Sequence, residues 1–266
     1  MSKATPDGRR QAVQASRMNL WRLEWLRLFR TPRALALGAV FVAFGLIEPV
    51  FTKYQDRLLA HVGNGIRIYM PPPTPAAALS SYISQASVIG LVVVVSLAAG
   101  ALSFDAHRGL ATFLRTRVRG LWRLVAPRFT VNAAAAAIAY LLGSLAAWYE
   151  TQVLIGSLPA AAMLGGILCG AVYLTFAVAV TTLAASIARS TLPAVAIALA
   201  VLLVLPVVGT FRSIENWLPS TLLRAPVDLV SGTHQLPHYL PTLAVTVAVT
   251  AVALTIAVRR LGAREI

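Results

Sequence analysis

Six long apolar runs dominate this sequence and restrict what it can fold into. They cover residues 34–51, 82–104, 129–148, 160–188, 191–211 and 240–258. About 20 helical residues cross the roughly 30 Å hydrocarbon core of a bilayer, and each run is close to or above that length. With 58% hydrophobic and only 12% charged residues, the chain has too few polar groups to cover a soluble surface of this size. We therefore predict an all-α membrane protein with six transmembrane helices, the first of them short and ending at Glu48-Pro49.

The basic residues are distributed unevenly between the segments that connect these runs. If the N-terminus is inside the cell, the outer segments hold only Lys53, Arg57, Arg67, Arg212 and Arg224. The inner segments hold a much larger set, namely Lys3, Arg9, Arg10, Arg17, Arg22, Arg27, Arg30, Arg33, Arg108, Arg115, Arg117, Arg119, Arg123, Arg128, Arg189, Arg259, Arg260 and Arg264. The positive-inside rule then predicts a multi-pass protein with both termini cytoplasmic.

The net charge of +14 is explained by this topology, so we do not expect nucleic acid to be a partner. Lys3 and Lys53 are the only lysines, and the arginine-rich, alanine-rich composition is typical of a high-GC bacterial genome. We therefore expect the bacterial cytoplasmic membrane as the location. The single Cys169 lies inside an apolar run and excludes a disulfide framework within one chain.

A helix is predicted before the first span, within a region of residues 1–33 that is distinct from the transmembrane domain of residues 34–266. Between Ser16 and Arg30 the apolar residues recur at helical spacing, with Trp21 and Trp25 on one face and Arg27 and Arg30 on the other. Such a helix is typical of the membrane interface, where tryptophans lie at headgroup level and arginines contact anionic lipids. A solvated helix packed on a partner subunit remains an alternative.

The outer segments have irregular features. Residues 52–81 contain an amphipathic stretch from Tyr54 to Val62 and the Pro71-Pro72-Pro73 run, which favours an extended turn. Residues 212–239 contain several prolines and are predicted to form broken or re-entrant helices at the interface. Gly166 and Gly170 form a G-x-x-x-G face in the fourth span, which could serve internal packing or dimerisation.

The sequence contains few groups that could carry out catalysis. It has no phosphate-binding G-x-x-x-x-G-K-[ST] motif, and Pro237 between His234 and His238 argues against a helical metal site. We therefore predict a protein that is not an enzyme and has no catalytic residues, metal or cofactor of its own. Glu48 and Glu150 fall near the outer ends of spans, which weakens a proton-coupled mechanism. A secondary transporter or channel of the cytoplasmic membrane remains the alternative function.

The segment between the second and third spans carries the most information about function. It runs from Phe104 to Arg128 and is basic and amphipathic. It resembles the corresponding loop of type-2 ABC-transporter permeases, which reads acidic-x-x-x-Gly-Thr, a leucine-rich stretch, Pro-Val-Ser-Arg and a lysine. Without gaps, the matching positions here are Asp105, Gly109, Phe113-Leu114, Thr116 and Arg128. His107, Leu110, Val118 and Leu121 depart from that pattern.

The resemblance extends over nearly the whole chain in the layout of spans, interfacial helix and outer segments. It implies the permease subunit of an ABC exporter that moves a hydrophobic or amphiphilic substrate. It also implies a cytoplasmic coupling helix that docks on a separate ATP-binding cassette subunit, which would bind ATP and Mg, and a second permease chain, identical or different. The docking residues implied are Asp105, Arg108, Gly109, Phe113, Leu114, Thr116, Arg117 and Arg119.

Overall fold

A computed structural model describes residues 21–28, 30–62, 72–102, 122–188, 190–210 and 215–263. None of these residues lies in a β-strand. The first helix, α1, covers residues 21–28 and continues at residue 30. The later α-helices are α2 (Arg33–Val62), α3 (Pro75–Gln85), α4 (Leu91–Leu102), α5 (Trp122–Leu154), α6 (Ala160–Ile187), α7 (Thr191–Val208), α8 (Ala225–Val230) and α9 (Leu240–Ala263).

Six helical stretches in the described part of the chain are long and apolar enough to cross a membrane, and the predicted fold class is confirmed in this respect. The second stretch joins α3 to α4 through a π-helical turn at Ala86–Gly90. The six stretches are Arg33–Arg57, Pro75–Leu102, Trp122–Leu154, Ala160–Ile187, Thr191–Val208 and Leu236–Ala263.

The first span does not end at Glu48-Pro49, and this prediction was wrong. Helix α2 continues through Pro49 as far as Val62. Beyond the proline, the Lys53 ammonium donates a 2.6 Å hydrogen bond to the carbonyl oxygen of Leu154 and so ties this part of α2 to the end of α5. The Thr52 hydroxyl also donates to the Glu48 carbonyl at 2.9 Å. Pro49 leaves only the Gly45 carbonyl without its helical donor, and membrane helices tolerate such a proline when they are packed on neighbouring helices.

The second and third spans begin seven residues earlier than their apolar runs. Helix α3 begins at Pro75, where Thr74 Oγ1 accepts a hydrogen bond from the Ala77 N–H at 3.2 Å and proline occupies the first helical turn. This is a favourable start for a helix, since proline has no N–H that would need a partner there. Helix α5 begins at Trp122 and includes Pro127, so it contains arginines that the apolar run did not cover.

Helices α2 and α5 run parallel and form the largest helix-to-helix interface. Along their length, the Phe41 ring meets the Tyr140 ring edge-on at 6.0 Å, and further on Lys53 reaches Leu154. Between these two contacts Gly45 lies directly against the Gly143 backbone. Small residues at a crossing allow membrane helices to approach closely. A chain that crosses the membrane three times runs in the same direction in its first and third spans, and α2 and α5 are these two spans.

Helix α6 occupies the centre of the bundle and is the most buried span. It packs on α4, α5, α7 and α9 and on the irregular segment of residues 215–239. That segment contains the 3₁₀ turns Glu215–Trp217, Pro219–Leu223 and Leu236–Tyr239 in addition to α8. Leu222 and Pro226 are buried, so the middle of this segment packs into the bundle, whereas residues 231–238 are exposed.

The two glycines of the G-x-x-x-G face are both covered by the chain itself. A Cβ atom on Gly166 would overlap Pro226 of α8, and a Cβ atom on Gly170 would overlap the Tyr140 ring of α5. The fold therefore uses both glycines for internal packing, which is one of the two roles considered from the sequence.

Candidate functional site at the arginine-rich end

The described cations gather at one end of the bundle. We call it the arginine-rich end, and it comprises α1, the start of α2, the end of α4, the start of α5 and the end of α9. It carries Arg22, Arg27, Arg30, Arg33, Arg123, Arg128, Arg259 and Arg260. The opposite end comprises the end of α2, the start of α3, the end of α5 and residues 215–239, and among its described residues it carries Lys53, Arg57 and Arg224. The charge asymmetry inferred from the connecting segments is thus present in the described structure.

Helix α1 turns one side towards the bundle. Glu24, Trp25 and Leu28 are half-buried, whereas Arg22, Arg27 and Arg30 are exposed. These positions agree with a 100° advance per residue, which places residues 24, 25 and 28 on a single face. Trp21, at the beginning of the described helix, is 42% exposed. The structure thus brings Trp25 towards the bundle and leaves the side chains of Trp21, Arg27 and Arg30 accessible.

An ion pair connects α1 to the third span. Arg128 Nε lies 3.0 Å from Glu24 Oε1, and the two side chains are only 13% and 14% exposed. Limited solvent access strengthens the attraction and makes the loss of either partner unfavourable. Glu24 is the single acidic residue in the predicted helix of residues 16–30. The sequence analysis did not predict this contact, although a single carboxylate among several arginines is a feature that suggests an ion pair.

The start of α5 is held by hydrogen bonds to its own backbone. The Asn132 amide donates to the Arg128 carbonyl at 2.8 Å. The Thr130 hydroxyl donates to the Ala126 carbonyl at 2.8 Å, beside Pro127. Each of these donors returns to the carbonyl four residues earlier in the same helix, whereas the carbonyl that Pro127 leaves without its helical donor is that of Arg123.

The predicted docking residues lie outside the described residues. All eight, Asp105, Arg108, Gly109, Phe113, Leu114, Thr116, Arg117 and Arg119, belong to residues 103–121. The structure does describe the two ends of that segment. Leu102 ends α4 as a buried residue, and Trp122 begins α5 with 51% of its surface exposed. Both ends lie at the arginine-rich end, on the same side of the bundle as α1.

The two histidines considered from the sequence lie at the opposite end. The rings of His234 and His238 stack with centroids 4.3 Å apart. The adjacent Tyr239 hydroxyl donates to Asp228 Oδ2 at 2.8 Å. Within the described ranges, no three histidine, cysteine or carboxylate side chains come together as metal ligands.

Polar side chains inside the bundle mostly bond to helix backbone. The hydroxyls of Thr151, Thr181 and Thr182 each donate to the carbonyl four residues earlier, at 2.6–2.8 Å. The Tyr82 hydroxyl lies 3.3 Å from the Ser144 hydroxyl and joins the second and third spans. These contacts support helix packing, as expected for hydroxyl residues in membrane helices.

About half of the chain is similar to a known transmembrane protein. No family model matches the chain. The chain is similar to a Bacillus subtilis (strain 168) protein described as "Uncharacterized transmembrane protein YxlG", with 21% identity over 140 residues. The matched region is 52% of this chain and 54% of the relative, so the chain spans about half the length of the relative that it matches. Together with the six apolar helices, this similarity identifies a multi-pass membrane protein.

Proposed function

We propose that this chain is the permease subunit of an ATP-binding cassette exporter, in which a separate subunit binds and hydrolyses ATP. The observation that carries the proposal is the position of the segment from Asp105 to Arg128, whose sequence resembles the corresponding loop of type-2 permeases. It leaves α4 and enters α5 at the arginine-rich end, where Glu24 bonds to Arg128. A soluble subunit docked there would contact a part of the chain that is connected to two spans.

The proposed orientation places the arginine-rich end in the cytoplasm, with the N- and C-termini on that side. It follows from the excess of arginine at that end, which the positive-inside rule associates with the cytoplasmic side. ATP is available in that compartment, so the proposed docking segment and the nucleotide would be on the same side of the membrane.

The proposed mechanism uses the ion pair as a mechanical connection. Closure of the ATPase subunits would push on residues 106–119, and α5 would move because it begins directly after that segment. Arg128 would transmit the movement to Glu24 and so to α1, which leads into the first span. Transport requires two discrete arrangements of the spans, and a connected set of packed elements can switch between them.

The proposed substrate is hydrophobic or amphiphilic, and it would move between two permease chains that are identical or paralogous. Helix α7 supports this part of the proposal. Only Ala194, Ala198 and Leu202 of that span are buried, whereas Leu192 and Val207 are 82% and 65% exposed. An uncharged face of this kind suits contact with lipid, with a second permease chain or with an apolar substrate.

Purification in a mild detergent tests the proposal. We expect a soluble ATPase to co-purify with the wild-type chain and to lose binding when Phe113 in the docking segment is changed to Glu. Trp217→Glu is the matched control, because it places the same charge on an exposed aromatic residue at the opposite end. Equal ATPase binding by all three proteins would contradict the docking role. Transport driven by an ion gradient without any ATPase would favour a secondary transporter or channel.

A further inference from the structure

A cleft opens at the arginine-rich end between α1 and the bundle. Arg27 from α1 and Arg33 from the start of α2 line it, and its apolar surface comes from Leu28, Leu97, Ala101 and Val131. Arg27 is exposed and Arg33 is half-buried. The cleft therefore combines two cations with an apolar surface contributed by α1, α4 and α5.

The other polar groups that line this cleft already have partners. The Glu24 carboxylate bonds to Arg128, and the Thr31 hydroxyl donates to the Arg27 carbonyl at 2.8 Å. The Asn132 amide donates to the Arg128 carbonyl. No such contact pairs the guanidinium of Arg27 or Arg33 with a carboxylate in the described part of the chain. The cleft consequently has an excess of positive charge.

The position of the cleft relative to the membrane follows from α2. Arg33 is the first residue of a 25-residue stretch that is long and apolar enough to cross the bilayer. The two arginines therefore lie at the level of the lipid headgroups, and Leu97 and Val131 lie further along their spans, towards the acyl chains. Basic pockets between transmembrane helices at this level are suited to anionic headgroups.

We propose that this cleft binds one anionic phospholipid from the leaflet on the arginine-rich side. The lipid phosphate accepts hydrogen bonds from Arg27 and Arg33, whose planar guanidinium groups fit phosphate oxygens. One acyl chain lies against the half-buried Leu28, Leu97 and Ala101. Two cations favour a lipid with a net negative charge over a zwitterionic lipid, whose own ammonium group offsets its phosphate. Bound there, the lipid would connect α1 to the bundle.

This site does not depend on the proposed transport function. It requires only that the chain crosses the membrane with its arginine-rich end at a headgroup layer. Failure of an ATPase to bind would leave the lipid site unaffected, and failure of lipid binding would leave the docking of an ATPase unaffected.

Native mass spectrometry of the detergent-purified chain with equal amounts of phosphatidylglycerol and phosphatidylcholine tests the proposal. We expect one phosphatidylglycerol to be retained preferentially. Loss of one arginine beside an anionic lipid headgroup should weaken lipid retention roughly fivefold. Arg27→Gln and Arg33→Gln together should therefore weaken it roughly thirtyfold. The lysine versions of both changes, which keep the charge, should restore much of the retention. Arg260→Gln removes one charge from the same end, outside the cleft, and should have no effect.

A second variant tests the apolar half of the cleft. Ala101→Phe keeps both arginines and fills the space for the acyl chain, so it should reduce retention while the gel-filtration profile stays that of the wild type. Equal retention of both lipids would overturn the proposal, as would wild-type retention in the double glutamine variant. Displacement of the lipid by millimolar inorganic phosphate would show that the arginines form a site for free phosphate instead. A loss as large for Arg260→Gln would show a general effect of surface charge.

Discussion

Gly45 lies directly against the backbone of Gly143 where α2 crosses α5, and neither position has room for a side chain. A Cβ atom on Gly143 would lie 2.7 Å from the Phe41 carbonyl carbon and 2.7 Å from the Tyr82 hydroxyl. The first obstacle is backbone and the second belongs to a buried ring, so the helices would have to separate. The crossing joins the first, second and third spans, and it offers a direct test of the fold.

Gly143→Ala should destabilise the protein by about 1–3 kcal/mol, the usual range for overpacking of a dense interior. Thermal unfolding followed by fluorescence-detected gel filtration would measure the shift. Gly38→Ala is the matched control on α2, because a Cβ atom there would meet nothing within 4 Å. That variant should be as stable as the wild type or slightly more stable, since alanine favours helix over glycine. Equal stability of the two variants would show that the α2–α5 crossing is wrong.

The ion pair between Glu24 and Arg128 should make a measurable contribution to stability. Glu24→Gln or Arg128→Gln should lower the free energy of unfolding by about 1–2 kcal/mol, between the values for exposed and fully buried pairs. A double-mutant cycle isolates the pairwise interaction from other effects of each change. Exchange of the two charges, with Glu24→Arg and Arg128→Glu together, should recover part of the loss. Additive losses in the cycle would mean that the pair does not form.

The proposed orientation can be checked by labelling single cysteines in cells. In a Cys169→Ala background, the exposed positions Trp217 and Gln235 should react, once changed to cysteine, with a maleimide that does not cross membranes. Arg22→Cys and Arg260→Cys, at the arginine-rich end, should react only after the membrane is permeabilised. Labelling of the latter pair in intact cells would reverse the orientation and remove the docking segment from the cytoplasm.

The role of Gly166 in internal packing leads to a prediction that separates folding from association. Gly166→Ala would push against Pro226 and should displace α8, because that contact involves backbone atoms. We expect lower thermal stability and faster proteolysis within residues 215–239. The oligomeric state, measured by light scattering in detergent, should be the same as that of the wild type. A change of oligomeric state without a loss of stability would assign the glycine to an interface between chains.

The number of spans and their class followed from the sequence because long apolar runs depend on local composition alone. The start of α3 at Pro75 was not predicted, although a threonine before a proline is a recognisable helix start. The continuation of α2 through Pro49 could not be predicted from the local sequence. Beyond the proline the helix is tied to α5, where Lys53 reaches Leu154, a residue about 100 positions away that no local pattern identifies.

The candidate site likewise contains features that the local sequence predicts and contacts between distant residues that it does not. Helical periodicity placed the arginines of α1 on an outward face, and the charge distribution indicated one end of the bundle. The partner of Glu24 could not be inferred, because any of several arginines near the membrane could have paired with it. The choice between two uses of Gly166 and Gly170 likewise required the positions of Pro226 and Tyr140, which come from different parts of the chain.

The large interface between α2 and α5 also has a consequence for biosynthesis. Gly45 and Gly143 are about 100 residues apart, so at roughly 5–20 residues per second the ribosome needs about 5–20 s to deliver the second partner after the first. During that interval the first span is in the membrane without the helix that covers its glycine face. Until the third span is inserted, α2 therefore depends on lipid or on the translocation machinery to shield that surface.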